Sequence, residues 1–370
     1  ESQRAAKRIV HDFDIKKWVL SKAREIELTQ FTASDTWILA FKKEAKIVSR
    51  KILKYVSPKF SQSENDIIRM SPEFLSTVEK SILINNVSDT FIFNADQTGI
   101  QKEIHSGRSL TFQGERDVQA ISQSLYSMTH SYTLMPIINK NGDILKPIFI
   151  VLQEPNWPLS EKVLNNLYSP KVLYYTATKS GKMGKLELIS FLKNCYYSNL
   201  PPDTKSILVV DSWSTYNKNT IVSGTPMDKI STIIHQIPPK CTALYQPLDV
   251  FFFRPFKNYL RKLEDTIIAD DLNFDIYTRN SILKLNDFVW NQISSPHFRP
   301  LRIYAWYKAG YVEQKPSADY KFQTFSQFCL NFEKQTCEIF NCDNITFNRC
   351  SYCKLHICAH HSIIQTVHIC

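Results

Sequence analysis

The sequence predicts an α/β protein, a mixed sheet flanked by helices, with an all-helical segment before it and a small metal-binding module after it. Three observations predict this. Helical spacing of apolar residues dominates the first 60 positions. From Thr90 onward short apolar runs, a hairpin signal and then alternating helices and strands suit a mixed sheet covered on both faces. Six of the nine cysteines crowd between Cys337 and Cys370, interleaved with histidines.

Residues 12–56 read as three short helices. Asp14 is expected to cap the first, with Ile15, Val19, Ala23 and Ile26 at helical spacing. Thr32-Ala33-Ser34-Asp35 opens the second as a capping box, followed by Trp37, Ile38 and Phe41. Ser49 is expected to cap the third, whose first turns carry Arg50, Lys51 and Lys54. A helix with basic N-terminal residues can enter the major groove. Residues 61–89 read as a polar linker with one short helix around residues 73–81.

The sheet begins with the run ending at Asp96. Tyr132–Ile138 and Ile144–Leu152 flank an Asn-Gly turn and predict a hairpin. Leu186–Tyr197 reads as a helix, Ile207–Val210 as a buried strand, and Thr232–Ile237 as a short strand before Pro238-Pro239. Ser180-Gly181-Lys182-Met183-Gly184-Lys185 mimics a phosphate loop. It lacks the spacing between glycines, and Leu186 stands where a hydroxyl is needed, so it reads as a loop before a helix. After Asp249, a helix is expected to start near Phe253, because Pro255 is tolerated only in a first turn. Phe252, Phe256, Tyr259 and Leu263 form its apolar stripe; Arg254, Lys257 and Arg261 form a basic one.

The formal net charge is +10 over 370 residues. Residues 1–60 hold 14 Lys/Arg against 7 Asp/Glu, so most of the excess is concentrated in the helical segment. Such a concentration favours a polyanionic partner. No run approaches the length of a membrane span. The chain starts at Glu1 rather than Met and reads as a fragment.

Asp96 and Asp211 each end an apolar run, and Asp249 lies in Gln246-Pro247-Leu248-Asp249. One such aspartate alone is a turn or capping residue. Three that converge can hold two divalent ions about 3.5–4 Å apart, an arrangement suited to phosphodiester chemistry. Asn94-Ala95-Asp96-Gln97-Thr98-Gly99, Leu208-Val209-Val210-Asp211, and the long string from Ile237 to Asp249 followed by Arg254-Pro255-Phe256-Lys257 resemble the three acid motifs of the pogo/Tigger branch of mariner-type transposases. Gln97 stands where that family more often has Glu. Ser212-Trp213-Ser214-Thr215-Tyr216 replaces its small, His-containing stretch. Trp18–Glu25 and Ser49–Lys54 resemble the second helix-turn-helix of centromere protein B and its pogo-like relatives, which usually carry another such module upstream.

The resemblance implies an RNase H-like fold over residues 90–330, behind a DNA-binding helix-turn-helix at 1–60. It also implies Asp96, Asp211 and Asp249 as ligands of two Mg²⁺ (or Mn²⁺) ions. The expected activity is that of a DNA transposase, a metal-dependent endonuclease and strand transferase acting in the nucleus as a homodimer. The partners are double-stranded DNA of the transposon's terminal repeats and of the target. Arg50, Lys51, Lys54, Arg254, Lys257 and Arg261 are the expected DNA contacts. Loss of an acid would instead mark a non-catalytic, centromere protein B-like DNA-binding protein; all three are present.

The tail, residues 337–370, offers four ligand pairs: Cys337 with Cys342, Cys350 with Cys353, Cys358 with His361, and His368 with Cys370. Eight ligands make two tetrahedral zinc sites. Pairing first with third and second with fourth gives a cross-brace, with His356 and His360 as spare candidates. Cys350-x2-Cys353-x4-Cys358-x2-His361 resembles the cysteine-rich tail of piggyBac-type transposases. A zinc-dependent interaction or ubiquitin-ligase protein is the rival reading of this segment. So short a segment lacks a core of its own and is expected to fold on its metal, separately from the catalytic body.

Overall fold

The computed structural model describes residues 2, 8–28, 30–49, 64–105, 109, 110, 113, 119–156, 158–230, 232–316, 323–331, 334 and 336–370. The chain divides into two compact units, residues 1–72 and 73–370.

In the first unit, helix α1 spans Asp12–Glu25 and α2 spans Asp35–Glu44. Asp14 does not cap α1. His11 occupies the cap, and Asp14 reaches back one turn to accept the His11 backbone N–H at 2.8 Å. Ser34 caps α2 by accepting from Trp37 N at 3.2 Å. Ile15, Ala23 and Ile38 are buried, and Trp37 stacks on Phe41. The expected third helix, with Arg50, Lys51 and Lys54, lies outside the described residues.

Helix α3 runs over Glu64–Asn85, far longer than the short helix expected in a linker. Its later turns bury Phe74 and Val78, and Phe74 meets the ring of Tyr245. Phe74 and Val78, four residues apart on one helical face, pack within the second unit, which the polar surroundings obscured.

The strands β1 (Ile92–Ala95), β2 (Thr98–Gln101), β3 (Ser131–Met135), β4 (Ile137–Asn139), β5 (Ile148–Gln153), β6 (Leu173–Thr178), β7 (Ile207–Val210) and β8 (Ile233–Gln236) form two four-stranded sheets, ordered β4-β1-β7-β8 and β2-β3-β5-β6. β1 and β2 are halves of one strand. Ala95 pairs with Ile137 on β4, and three residues further along each strand Thr98 pairs with Leu134 on β3, without a change of register. The interruption falls at Asp96-Gln97, opposite Pro136. β7 lies parallel to β1, and β8 parallel to β7. On the other side β5 is antiparallel to β3, and β6 parallel to β5. Three antiparallel strands followed by parallel strands beside the first is the RNase H-like order, here with β6 added.

The predicted hairpin is present. Gly142 sits at φ +82°, and a Cβ there would meet the Arg299 carbonyl at 2.8 Å, so only glycine fits the turn. Helix α4 (Lys185–Phe191) covers one face through Leu188 and Phe191, and continues into a π-helical turn, Leu192–Tyr196. Beyond the sheet, α5 (Phe253–Ala269), α6 (Arg279–Ser294), α7 (Arg299–Lys308) and α8 (Phe325–Cys329) form a helical layer. Phe252, Phe256, Tyr259 and Leu263 are all buried, as their spacing predicted. The tail adds a two-stranded ribbon, β9 (Asn348–Arg349) with β10 (His356–Ile357). No helix among the described residues is long and apolar enough to cross a membrane.

Candidate active site and metal centres

Parallel pairing brings two of the acids abreast. Asn94 on β1 faces Val209 on β7. Asp96 stands two residues beyond Asn94, and Asp211 two beyond Val209, so both lie at the same end of neighbouring strands, which run about 4.8 Å apart. Asp96 occupies the interruption of its strand, where its Oδ1 accepts from Gln97 N at 2.8 Å. Asp211 follows the last residue of β7 and accepts from Trp213 N at 3.3 Å. Asp249 comes from elsewhere, in the π-helical turn Leu248–Phe252 that leads into α5. Its carboxyl group comes close enough to that of Asp96 for each to shift the other's ionisation.

The electrostatics record this convergence. Asp96 is buried, and its carboxyl is held well above the usual range by burial first, then by the charges of Asp249 and Asp211. Burial also raises Asp211 and Asp249. The Tyr216 phenol is pushed up by burial first, then by the charges of Asp211 and Asp96. Crowded carboxylates with oxygen ligands only are the donor set that hard divalent cations take. They are set wider than the tail's ligands: among the described residues, the groups whose ligand atoms all lie within 4.8 Å of one another are the two Cys/His sets below.

A pair of buried amides, unassigned by the sequence reading, ties the three acid-bearing segments together. Asn94 Nδ2 donates to the Val209 carbonyl at 3.0 Å and to Gln246 Oε1 at 3.1 Å. Asn94 Oδ1 accepts from Leu248 N at 3.1 Å, and Gln246 Nε2 donates to the Ala95 carbonyl at 3.2 Å. Each amide sits two or three residues before an acid in the motif strings. That proximity was the available signal.

The basic stripe of α5 is divided. Arg254 is exposed, whereas Lys257 and Arg261 are half-buried. Lys257 donates to the Gly99 carbonyl at 3.2 Å and is drawn toward Asp249 and Asp96. Burial lowers its pKa despite that attraction.

The tail's eight ligand residues gather in two sets, Cys337, Cys342, Cys358 and His361, and Cys350, Cys353, His368 and Cys370. This is the interleaved arrangement, first pair with third and second with fourth. Cys342 and Cys358 sulfurs are 3.8 Å apart, as are those of Cys350 and Cys370. A zinc tetrahedron with Zn–S bonds of about 2.3 Å has edges of about 3.8 Å, so the sets fit that ion. His368 Nε2 lies 3.1 Å from Cys370 and 3.6 Å from Cys353. The spare histidines stay outside both sets; His356 Nδ1 is held by Glu338 at 3.0 Å.

Residues 132–299 match the DDE superfamily endonuclease model, and residues 306–370 match that of the Tc5 transposase C-terminal domain. The tail's match is therefore to Tc5, where its short motif resembles piggyBac-type tails. A search of curated protein sequences finds no match. Among solved structures, the Mos1 transposase paired-end complex with left transposon end is 10% identical, covers 76% of this chain and 77% of its own, and has a TM-score of 0.39. The Mos1 mariner paired end complex with Mn is 11% identical over 74% and 72%, with a TM-score of 0.41. Superpositions this loose place no residue. The two family models, joined in one chain, make the assignment: this is a DNA transposase, with a DDE superfamily endonuclease domain followed by a Tc5 transposase C-terminal domain.

Proposed function

We propose that Asp96, Asp211 and Asp249 are the catalytic acids and hold two Mg²⁺ or Mn²⁺ ions, with which the protein nicks transposon-end DNA and joins it to a target. The observation that carries this reading is the β1–β7 register, which sets Asp96 and Asp211 at the same end of neighbouring strands, with the charges of Asp249 and Asp211 both raising the Asp96 carboxyl. When bound, the ions supply an activated water, then an activated 3′-hydroxyl, and neutralise charge on the leaving oxygen. The chain's own groups do the rest. Asn94 and Gln246 hold the acid-bearing segments in place. Lys257 offers a cation at the rim of the acids, free to turn from the Gly99 carbonyl to a phosphate. Arg254 and Arg261 extend that charge along α5. Arg50, Lys51 and Lys54 of the helix-turn-helix, residues 1–60, hold the terminal repeat. The assembly is a homodimer acting in the nucleus, and the tail holds two Zn²⁺ ions.

The test is cleavage of DNA bearing the flanking repeats, with Mg²⁺ and with Mn²⁺. Asp96→Ala, Asp211→Ala and Asp249→Ala should each lower cleavage by more than the roughly 100-fold that losing an outer-shell partner costs, while DNA binding persists. A variant cleaving at the wild-type rate removes its residue from the site. The non-catalytic, centromere protein B-like alternative is not favoured by the family matches.

A further inference from the structure

The tail was expected to fold apart from the catalytic body, yet the two are interlocked. The Tc5 match begins at residue 306, inside α7, so the domain's first residues belong to a helix it shares with the body. From there α8 inserts Phe325 against Phe252 and Phe298, with ring centroids 5.7 and 4.9 Å apart. Phe328 packs on Phe298 and is covered from the tail side by Arg349 and Lys354, each cation 4.7 Å from the ring centre.

Hydrogen bonds then run from the tail into two body helices. Tyr259 on α5 donates its hydroxyl to Asn348 Oδ1 at 2.6 Å, with both residues buried. Ser351 N donates to Gln292 Oε1 on α6 at 2.7 Å, and Ser351 Oγ donates to the Gln292 carbonyl at 2.7 Å. Ser295 Oγ donates to the Ser351 carbonyl at 3.1 Å, and Lys284 Nζ to the Ile364 carbonyl at 3.0 Å. Asn348 lies two residues before Cys350, and Ser351 lies between Cys350 and Cys353. The residues that grip the body are thus set by the second ligand group.

We infer that the tail is a zinc-keyed brace for the catalytic body: its loading fixes β9 and the turn at Ser351, which hold α5 and α6, and through α5 position Asp249 and Lys257. This rests on the zinc reading of the two Cys/His sets. A free arm would expose its polar backbone to solvent or to a partner. This segment instead spends Asn348 and Ser351 on buried groups of its own chain, where an unmade hydrogen bond is costly.

The experiment uses the full chain. Zinc content is measured first, and hydrogen exchange is then followed by mass spectrometry, with and without a zinc-selective chelator, in Mg²⁺-containing buffer. Chelation should speed exchange in residues 253–269 and 279–294, as well as 337–370, by at least about tenfold. It should also weaken Mn²⁺ binding by the body. Faster exchange confined to residues 337–370 would overturn the brace. A chain isolated without zinc would overturn the zinc assignment itself. Tyr259→Phe keeps the ring and removes the bond to Asn348. It should leave zinc content unchanged while exchange in residues 253–269 rises; unchanged exchange there would exclude Asn348 as the point of grip.

Discussion

Asn94 shows how much of this site rests on one uncharged residue. It is fully buried on β1, and its amide bonds β7, Gln246 and the backbone entering the π-helical turn of Asp249. Asn94→Ala would leave the buried Leu248 N–H without its acceptor and Gln246 without a donor. Each orphaned group costs about 1–3 kcal/mol. The expected variant is folded, melts lower and binds Mn²⁺ more weakly in calorimetry, because the three acids are no longer held in register. Wild-type Mn²⁺ affinity alongside a lowered melting temperature would reduce Asn94 to a core residue. The identity of Asn94 was in plain view within its motif. Its role was not, because its partners are 115 and 152 positions away in the chain.

At the scale of elements, α5 carries two jobs on two faces. The inner face follows the predicted apolar stripe and packs Phe252 and Phe256 near Trp290. The outer face was expected to be a uniform basic row, but burial separates exposed Arg254 from half-buried Lys257 and Arg261. Arg254→Ala should therefore act as a simple phosphate contact. It should weaken binding to any duplex and reduce the slope of log affinity against log salt by about 0.9. An unchanged slope from fluorescence anisotropy would mean that Arg254 does not meet DNA. Lys257→Ala should alter cleavage more than binding, since its ammonium faces Asp249 and Asp96. Arg302 is another instance of context deciding a side chain's use. It is buried, its pKa is pushed down to about 10 by burial, and it donates to the Ile293 and Ser295 carbonyls at the end of α6.

For the whole molecule, the continuity of body and tail has a direct consequence. A chain ending after residue 316 would lose Phe325 and Phe328 and uncover Phe252, Phe298 and the end of α6. An exposed aromatic patch of this kind drives association. Such a truncation should be poorly soluble or aggregated, seen as loss of the monomer or dimer peak in size-exclusion chromatography. A soluble, cooperatively melting product would show that the body is complete without its tail.

The sequence by itself determined the local items. The hairpin with its Asn-Gly turn, the strand Ile207–Val210, the helix start near Phe253 and its buried stripe all follow from short-range periodicity and turn chemistry. The motif strings pointed to a transposase, and the cysteine spacing gave the tail's four ligand pairs; the fold groups them first with third and second with fourth. Tertiary structure decided what depends on distant partners. Only the register of β1 against β7 brings Asp96 level with Asp211, and only the buried amides explain how Asp249 joins them. Only packing shows that the later turns of α3, with Phe74 and Val78, are buried in the second unit, and that the tail is a fixed part of the body. Periodicity reports which face of an element is apolar; which neighbour that face meets is set by the free energy of the whole packed chain.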